Sequence, residues 1–239
     1  MEKINKLQSI IDGSENIVFF GGAGVSTESG IPDFRSQDGL YNLKYAYPPE
    51  QIVSHTFFKF RPAEFFGFYR DKMVYPAAKP NPAHIFLAKL EEAGKLKAVI
   101  TQNIDGLHQA AGNKTVYELH GSVLRNYCVR CRRFYSVEFV KNCDGVPVCD
   151  CGGVVKPDVV LYEEGLDDKT VSGAISAIEN ADALIIGGTS LAVYPAAGFI
   201  DCFRGKHLVV INKSPTPADL RAELVINEPI GEVFSRLRI

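Results

Sequence analysis

Five of the six cysteines fall between residues 121 and 160, and four of them are spaced as metal ligands. Cys128-x-x-Cys131 and Cys149-x-Cys151 are separated by 17 residues. That is the layout of a zinc ribbon, in which two short knuckles each give two thiolates to one tetrahedral ion. The second knuckle has one residue between its cysteines where two are usual, a tighter bite with less backbone hydrogen bonding to sulfur. Cys143 lies close enough in sequence to replace Cys151, so both stand as candidates for the fourth ligand. Four thiolates leave no open coordination position, so the ion would be structural and not catalytic. Cys202, in an apolar stretch, reads as a small buried hydrophobe.

A second pattern suits a phosphate. Gly21-Gly22-Ala23-Gly24-Val25-Ser26-Thr27 follows the apolar run Ile17–Phe20 and reads as a turn from a strand into a helix. Glycines there would let backbone N–H groups approach a pyrophosphate, and a helix N-terminus would add positive potential. Gly22-x-Gly24-x-x-Thr27 is not the full dinucleotide fingerprint, and no acidic residue closes the next strand to hold a ribose. A hydride-transferring dehydrogenase is therefore disfavoured. Among five histidines, His120 stands out because it follows the apolar Val116–Leu119 and precedes Gly121. On its own, such a histidine reads as structural sooner than as a proton carrier.

These residues need elements to hold them. Ile17–Phe20, Ala98–Ile100, Ala183–Ile186 and Leu208–Ile211 are short apolar runs without alternation, as expected of strands buried on both faces of a parallel sheet. Helical stretches at Pro82–Ala93, Asp167–Asn180 and Pro195–Arg204 lie between them, and residues 1–12 read as an amphipathic helix. The fold class is α/β: a Rossmann-like parallel sheet with helices on both faces, plus a smaller domain. Small or amide residues follow each strand: Gly22, Gln102-Asn103, Gly188-Thr189-Ser190 and Asn212. Ligands of such sheets bind at this carboxyl edge. The expected larger domain is discontinuous, 1–35, 77–120 and 155–239. The smaller one comprises a helical and flexible-loop insertion, 36–76, and the zinc-binding module, 121–154.

The motifs together resemble the sirtuin family. Gly22-Ala23-Gly24-Val25-Ser26 with Gly30-Ile31-Pro32-Asp33-Phe34-Arg35 is similar to the family's cofactor loop. Thr101-Gln102-Asn103-Ile104-Asp105-Gly106-Leu107-His108 and Glu118-Leu119-His120-Gly121-Ser122 resemble its second and third motifs. Gly188-Thr189-Ser190 and Ile211-Asn212 resemble its adenosine-contacting motifs. The order is the family's, and the blocks span nearly the whole chain.

The resemblance implies a bacterial-type NAD-dependent protein-lysine deacetylase, with NAD as consumed co-substrate and one structural zinc. It implies that Ala23, Thr27, Asp33, Phe34 and Arg35 surround NAD and that Gln102, Asn103, Ile104 and Asp105 line its ribose and nicotinamide pocket. Thr189, Ser190 and Asn212 would hold the adenosine half, with Ile230 over the adenine. His120 would be the general base and Asn103 a second catalytic group. The chemistry agrees with the residue types: a weak amide nucleophile requires an oxocarbenium-like centre, which fixed dipoles stabilise, and a base working near neutral pH. His84 is expected to cap or pack, His108 to orient its loop, and His55 and His207 to lie in surface loops.

The resemblance also implies that the substrate pairs as an extended strand near Val159–Tyr162. Where the family has Phe-Gly-Glu, this chain has Tyr162-Glu163-Glu164, which alters local loop geometry. Relatives that favour succinyl or malonyl groups carry Tyr-x-x-Arg; here Tyr69-Arg70-Asp71-Lys72 places a lysine fourth, without the bidentate fork of arginine. Acetyl-lysine is the expected substrate, with acidic or longer acyl groups as alternatives, and the aromatic Phe65–Tyr69 stripe suits either core or acyl channel. Mono-ADP-ribosyl transfer and an idle NAD-binding module are the competing functions.

The bulk numbers fit. In 239 residues, 26 basic side chains meet 28 acidic ones for a net charge of -2, which argues against a specific nucleic-acid binder; Arg125, Arg130, Arg132 and Arg133 read as a solvated face. No signal peptide or membrane span is expected, and the protein is expected to be cytoplasmic and monomeric.

Overall fold

All five residues of strand β1 (Ile17–Gly21) are buried, and they alternate between two separate apolar layers. Ile17 and Phe19 face a layer containing Leu87, Leu90, Val209 and Phe234; Val18 and Phe20 face one containing Ile178, Leu184, Ile186 and Phe199. A strand covered on both sides has no polar face, which is why these runs show no alternation in sequence. The computed structural model describes residues 2–33 and 46–239.

Helix α1 (Glu2–Gly13) precedes β1, and two short 3₁₀ turns, Ala23–Val25 and Thr27–Ser29, follow it. Then come α2 (Pro49–Ile52), α3 (His55–Phe60), α4 (Pro62–Lys72) and α5 (Pro82–Glu92), followed by β2 (Leu96–Thr101), α6 (Leu107–Ala111) and β3 (Val116–Glu118). The cysteine-bearing segment forms β4 (Gly121–Cys128), β5 (Phe134–Ser136), α7 (Val137–Asn142) and β6 (Val155–Val159). The chain ends with α8 (Asp168–Glu179), β7 (Ala183–Gly187), a 3₁₀ segment Ala196–Cys202, β8 (His207–Ile211), β9 (Leu224–Ile226) and α9 (Ile230–Phe234).

The larger sheet has the order β3-β2-β1-β7-β8-β9, with every pair parallel. The strand order reverses between β1 and β7, and a crevice opens outside the carboxyl ends at such a point. Helices α1, α5 and α9 cover one face; α8 and the 196–202 segment cover the other. Leu7, Ile10 and Ile11 anchor α1 by one stripe, each such side chain contributing roughly 1.5–3 kcal/mol of burial. The 195–204 stretch, expected as an α-helix, is 3₁₀ over Ala196–Cys202. The edge strands β3 and β9, three residues each, are too short to be distinctive in sequence.

The smaller lobe is an antiparallel sheet β5-β4-β6 packed with α2, α3, α4 and α7. Its core joins Phe57, Phe65, Phe66 and Tyr69 of the helical insertion to Val123, Val140 and Val155 of the cysteine-bearing segment. The aromatic stripe is therefore core: Phe65, Phe66, Phe68 and Tyr69 are all buried, and burial raises the Tyr69 phenol above its ordinary range. Strand β6 pairs with β4, and Val155, Val159 and Leu161 pack in this core. The boundary expected at residue 155 thus falls inside the small sheet, because β6 supplies the partner that β4 needs.

Candidate active site and metal centre

His120 sits where the chain crosses from one sheet to the other, between β3 and β4. Three bonds fix it. Leu119 N–H donates to the Thr101 carbonyl (2.9 Å), Val160 N–H to the His120 carbonyl (3.0 Å), and His120 Nδ1 to the Gln102 carbonyl (3.0 Å). A carbonyl only accepts, so Nδ1 carries the proton and Nε2 is the basic nitrogen. Burial lowers the imidazole pKa below its ordinary 6.5, partly offset by the Gln102 bond, so the ring is neutral at pH 7. Next to it, Gly121 has φ 76°, and a Cβ there would lie 1.9 Å from the Asp158 carbonyl oxygen. Only glycine lets β6 pass this close. Arg125 braces the same crossing, donating to Glu118 (2.7 Å) at the end of β3 and to Asp158 (2.8 Å) on β6.

The segment after β2 is tied to the glycine turn by one hydroxyl. Ser26 Oγ donates to Asp105 Oδ2 (2.7 Å) and accepts from Asn103 Nδ2 (3.1 Å). Asp105 Oδ1 also accepts the Leu107 N–H (2.9 Å), and Gln102 Nε2 donates to Thr189 Oγ1 (3.1 Å). Sequence reasoning assigned Ser26 no role of its own; its place two residues after Gly24 was the available signal.

The glycine turn works differently from the expectation. It enters two three-residue 3₁₀ turns, which carry no helix dipole, instead of an α-helix. The N–H groups of Gly22 and Gly24 are committed to the carbonyls of Gly187 (3.3 Å) and Gly188 (2.8 Å). A Cβ on Gly24 would meet Gly188 backbone at 2.8 Å, so these glycines let the turns after β1 and β7 touch. The N–H groups of Ala23, Thr189 and Ser190 take no partner among the described residues and remain as donors to an anion.

A cleft of about 650 Å³ unites these groups. Gly22, Ala23, Gly24, Thr27 and Asp33 line it from the first loop; Gln102, Asn103, Ile104, Asp105 and His120 line its middle. Gly188, Thr189, Ser190, Asn212 and Ile230 line the remainder, with Ile230 packed where a Cβ on Gly187 would otherwise sit. Phe34 and Arg35 lie outside the described residues. The cleft also reaches Lys72, the lysine weighed above for acyl choice, and Met73–Pro76, Val123, Glu138, Lys213 and Glu228, which sequence reasoning did not assign to a ligand site.

The other histidines behave as side-chain chemistry suggests. His84 Nδ1 accepts the Asn81 N–H (3.2 Å) at the start of α5, while its ring lies 4.7 Å from that of His108, both buried. Burial pushes His84 down to about 4, against the attraction of Asp105, and His108 to about 3. His55 contacts Glu164 (2.9 Å) and His207 contacts Glu223 (2.6 Å).

The sulfurs of Cys128, Cys131, Cys149 and Cys151 all lie within 4.8 Å of one another. Cys128 and Cys151 are 3.4 Å apart, Cys131 and Cys149 3.6 Å. Tetrahedral zinc at about 2.3 Å from each sulfur requires sulfurs about 3.8 Å apart, so the cluster fits the ion. Backbone N–H bonding holds the Cys128 thiol below its ordinary range and brings Cys149 to about 6. Cys151 has a lowering bond from Gly153 yet is pushed up to about 11 by its bonds to the other sulfurs. Four sulfurs cannot share this space as anions without a cation. Cys143 stands apart, donating to the Asp144 carbonyl. Cys202 is only half-buried, beside the second core layer.

Fold and site thus define a two-lobed α/β protein with a nucleotide-sized cleft at its switch point and a four-cysteine module. The Sir2 family pattern matches residues 22–195, and the chain belongs to that family, the sirtuins. It is 66% identical to an NAD-dependent protein deacetylase of Clostridium perfringens, over 99% of this chain and 98% of that protein. A protein of the same description from Clostridium acetobutylicum is 60% identical, over 98% and 97%. Among solved structures, a Sir2 complex with p53 peptide and NAD+ superposes with a TM-score of 0.87 at 41% identity, covering 98% of this chain and 96% of that one. Another, with deacetylated p53 peptide and 3'-O-acetyl ADP-ribose, gives 0.90 at 41% identity and the same coverage.

Proposed function

We propose that the chain is an NAD-dependent protein-lysine deacetylase, converting NAD, acetyl-lysine and water to nicotinamide, lysine and O-acetyl-ADP-ribose. The observation that carries this reading is the convergence of His120, Asn103 and Asp105 with the glycine turn on one cleft. The Clostridium relatives bear that activity as their description, and the two solved structures hold the co-substrate and the acetylated product.

NAD supplies the ribose that leaves nicotinamide and takes the acyl group. The Ala23, Thr189 and Ser190 N–H groups hold its phosphates, with Thr27 and Asp33 beside them, and Asn212 and Ile230 hold the adenosine end. Asn103, its amide nitrogen committed to Ser26, offers Oδ1 as a fixed dipole to positive charge developing on the ribose. His120 takes a ribose hydroxyl proton through Nε2, and the Gln102 carbonyl stabilises the imidazolium that results.

The substrate is an acetylated protein segment bound as an extended strand beside Val159–Tyr162. Part of that edge is already used: Tyr162 N–H donates to the Val53 carbonyl and its carbonyl accepts the His55 N–H. Lys72 lines the cleft but lies 3.2 Å from the Asp71 carboxylate, which supports acetyl over acidic acyl groups. A thiolate cluster held for zinc suits a reducing compartment, the cytoplasm. Among the described residues, no helix is long and apolar enough to cross a membrane.

The test is nicotinamide release from NAD with an acetyl-lysine peptide, with O-acetyl-ADP-ribose detected by mass spectrometry. Release that needs the acetyl-lysine supports the reading. Absence of release with any acyl group overturns it, as does ADP-ribose appearing on protein undiminished without acyl-lysine.

A further inference from the structure

Glu163 holds a backbone conformation that its side chain disfavours. Its φ is 76°, in the left-handed region, where a Cβ is sterically costly and glycine is the usual occupant. Such a residue persists only when its surroundings hold it, and here the holder is visible. Glu163 Oε2 accepts from the Thr56 N–H (2.9 Å) and from Thr56 Oγ1 (2.6 Å) near the start of α3. These bonds also keep the carboxyl below its ordinary range, so it stays ionised at neutral pH and its bonds are charge-assisted.

The neighbouring backbone shows what the conformation exposes. Val160 N–H is taken by His120, both Tyr162 groups by Val53 and His55, and Leu161 N–H by the Glu164 carboxylate (2.9 Å). The Val160 carbonyl and both backbone groups of Glu163 have no partner among the described residues, and both residues line the cleft. An extended peptide recruits just such a row of unused donors and acceptors. The small-lobe helix α3 therefore fixes, through one side chain, the residue that ends this row.

We infer that Glu163 is a positioning residue for the substrate peptide: anchored on Thr56, it sets the left-handed turn that offers its N–H and C=O, with the Val160 carbonyl, to an extended acylated segment. This rests on the deacetylase reading above. A glycine here would reach the same φ without strain but without the anchor, so the turn would be one of several conformations and each peptide would have to select it.

The experiment is steady-state kinetics on the full-length zinc-bound protein, varying acetyl-lysine peptide and NAD separately, with melting temperatures alongside. Glu163→Ala should raise the peptide KM about tenfold, and Glu163→Gly and Thr56→Val several-fold, with the NAD KM and the melting temperature little moved. Thr56→Ser, which keeps the hydroxyl, should restore the peptide KM that Thr56→Val loses. Peptide KM values within about twofold of wild type in both Glu163 variants overturn the inference alone, as does an equal rise in the KM for NAD. A wild-type protein that releases no nicotinamide with any acyl peptide overturns the deacetylase reading, and this inference with it.

Discussion

His120 Nδ1 lies 3.0 Å from the Gln102 carbonyl oxygen, so a main-chain group at the end of β2 selects the tautomer of an imidazole between the two lobes. The proton is held on the inner nitrogen and the basic nitrogen is Nε2. Because burial depresses the ring's pKa below 6.5, the proposed base is neutral, the form that accepts a proton, at neutral pH. The rate with saturating substrates should rise with pH through an apparent pKa below 6.5 and be flat around pH 7 to 8, roughly the range above that pKa. His120→Ala should lower kcat by about 10²–10⁴-fold while NAD still binds, measured by turnover and by calorimetric titration. Retained turnover in that variant would remove the proposed base.

Gly121→Ala tests whether the crossing tolerates a methyl group. Its Cβ would enter the Asp158 carbonyl at 1.9 Å, and the positive φ would be strained as well. Relief requires β6 to move away from β4 beside His120. A loss of about 3 kcal/mol in denaturant unfolding is expected, along with a drop in kcat larger than any change in NAD affinity.

Zinc removal should act on the small lobe first. The cluster shares its core with Phe65, Phe66 and Val140, so losing the ion loosens packing far from the cleft floor. Cys151→Ser should lower zinc content well below one per chain and the melting temperature by about 10 °C or more, whereas Cys143→Ser should change neither. Metal analysis and thermal denaturation read both. Full zinc retention in Cys151→Ser, with loss in Cys143→Ser, would reverse the ligand assignment.

The buried pair His84 and His108 should make the fold sensitive to acid. Both rings titrate far below the ordinary 6.5 when folded, at about 4 and about 3. Stability is therefore full above pH 6.5 and declines as the pH falls, because the unfolded chain takes up protons that the folded one refuses. Over that window each ring contributes a slope of about 1.4 kcal/mol per pH unit. Urea unfolding of wild type and His108→Gln between about pH 7 and pH 5 should show a shallower decline in the variant.

Local sequence was enough for whatever rests on local physics. The β-branched runs at Ile17–Phe20 and Ala183–Ile186 read as strands covered on both faces, and the spacing of Cys128, Cys131, Cys149 and Cys151 pointed to a thiolate cage. Gly22, Gln102, Asn103, Gly188, Thr189, Ser190 and Asn212 were legible as cleft residues because they follow strands at one sheet edge, whereas Val123, Glu138 and Glu228, which line the same cleft, carried no such signal.

Contacts between distant segments were not legible, since nothing in a single stretch encodes them. That Gly22 and Gly24 serve the approach of Gly188, that Ser26 joins Asp105 to Asn103, and that Glu163 is pinned by Thr56 all depend on segments far apart in the chain meeting at the cleft. That β6, just past the boundary expected at residue 155, pairs with β4 is a long-range contact of the same kind. Residue type and spacing determined which chemistry this chain carries. Long-range pairing decided how the His120 ring, the Ser26 hydroxyl and the Gln102 carbonyl are oriented at the cleft, because hydrogen bonds that orient a site are made between neighbours in space.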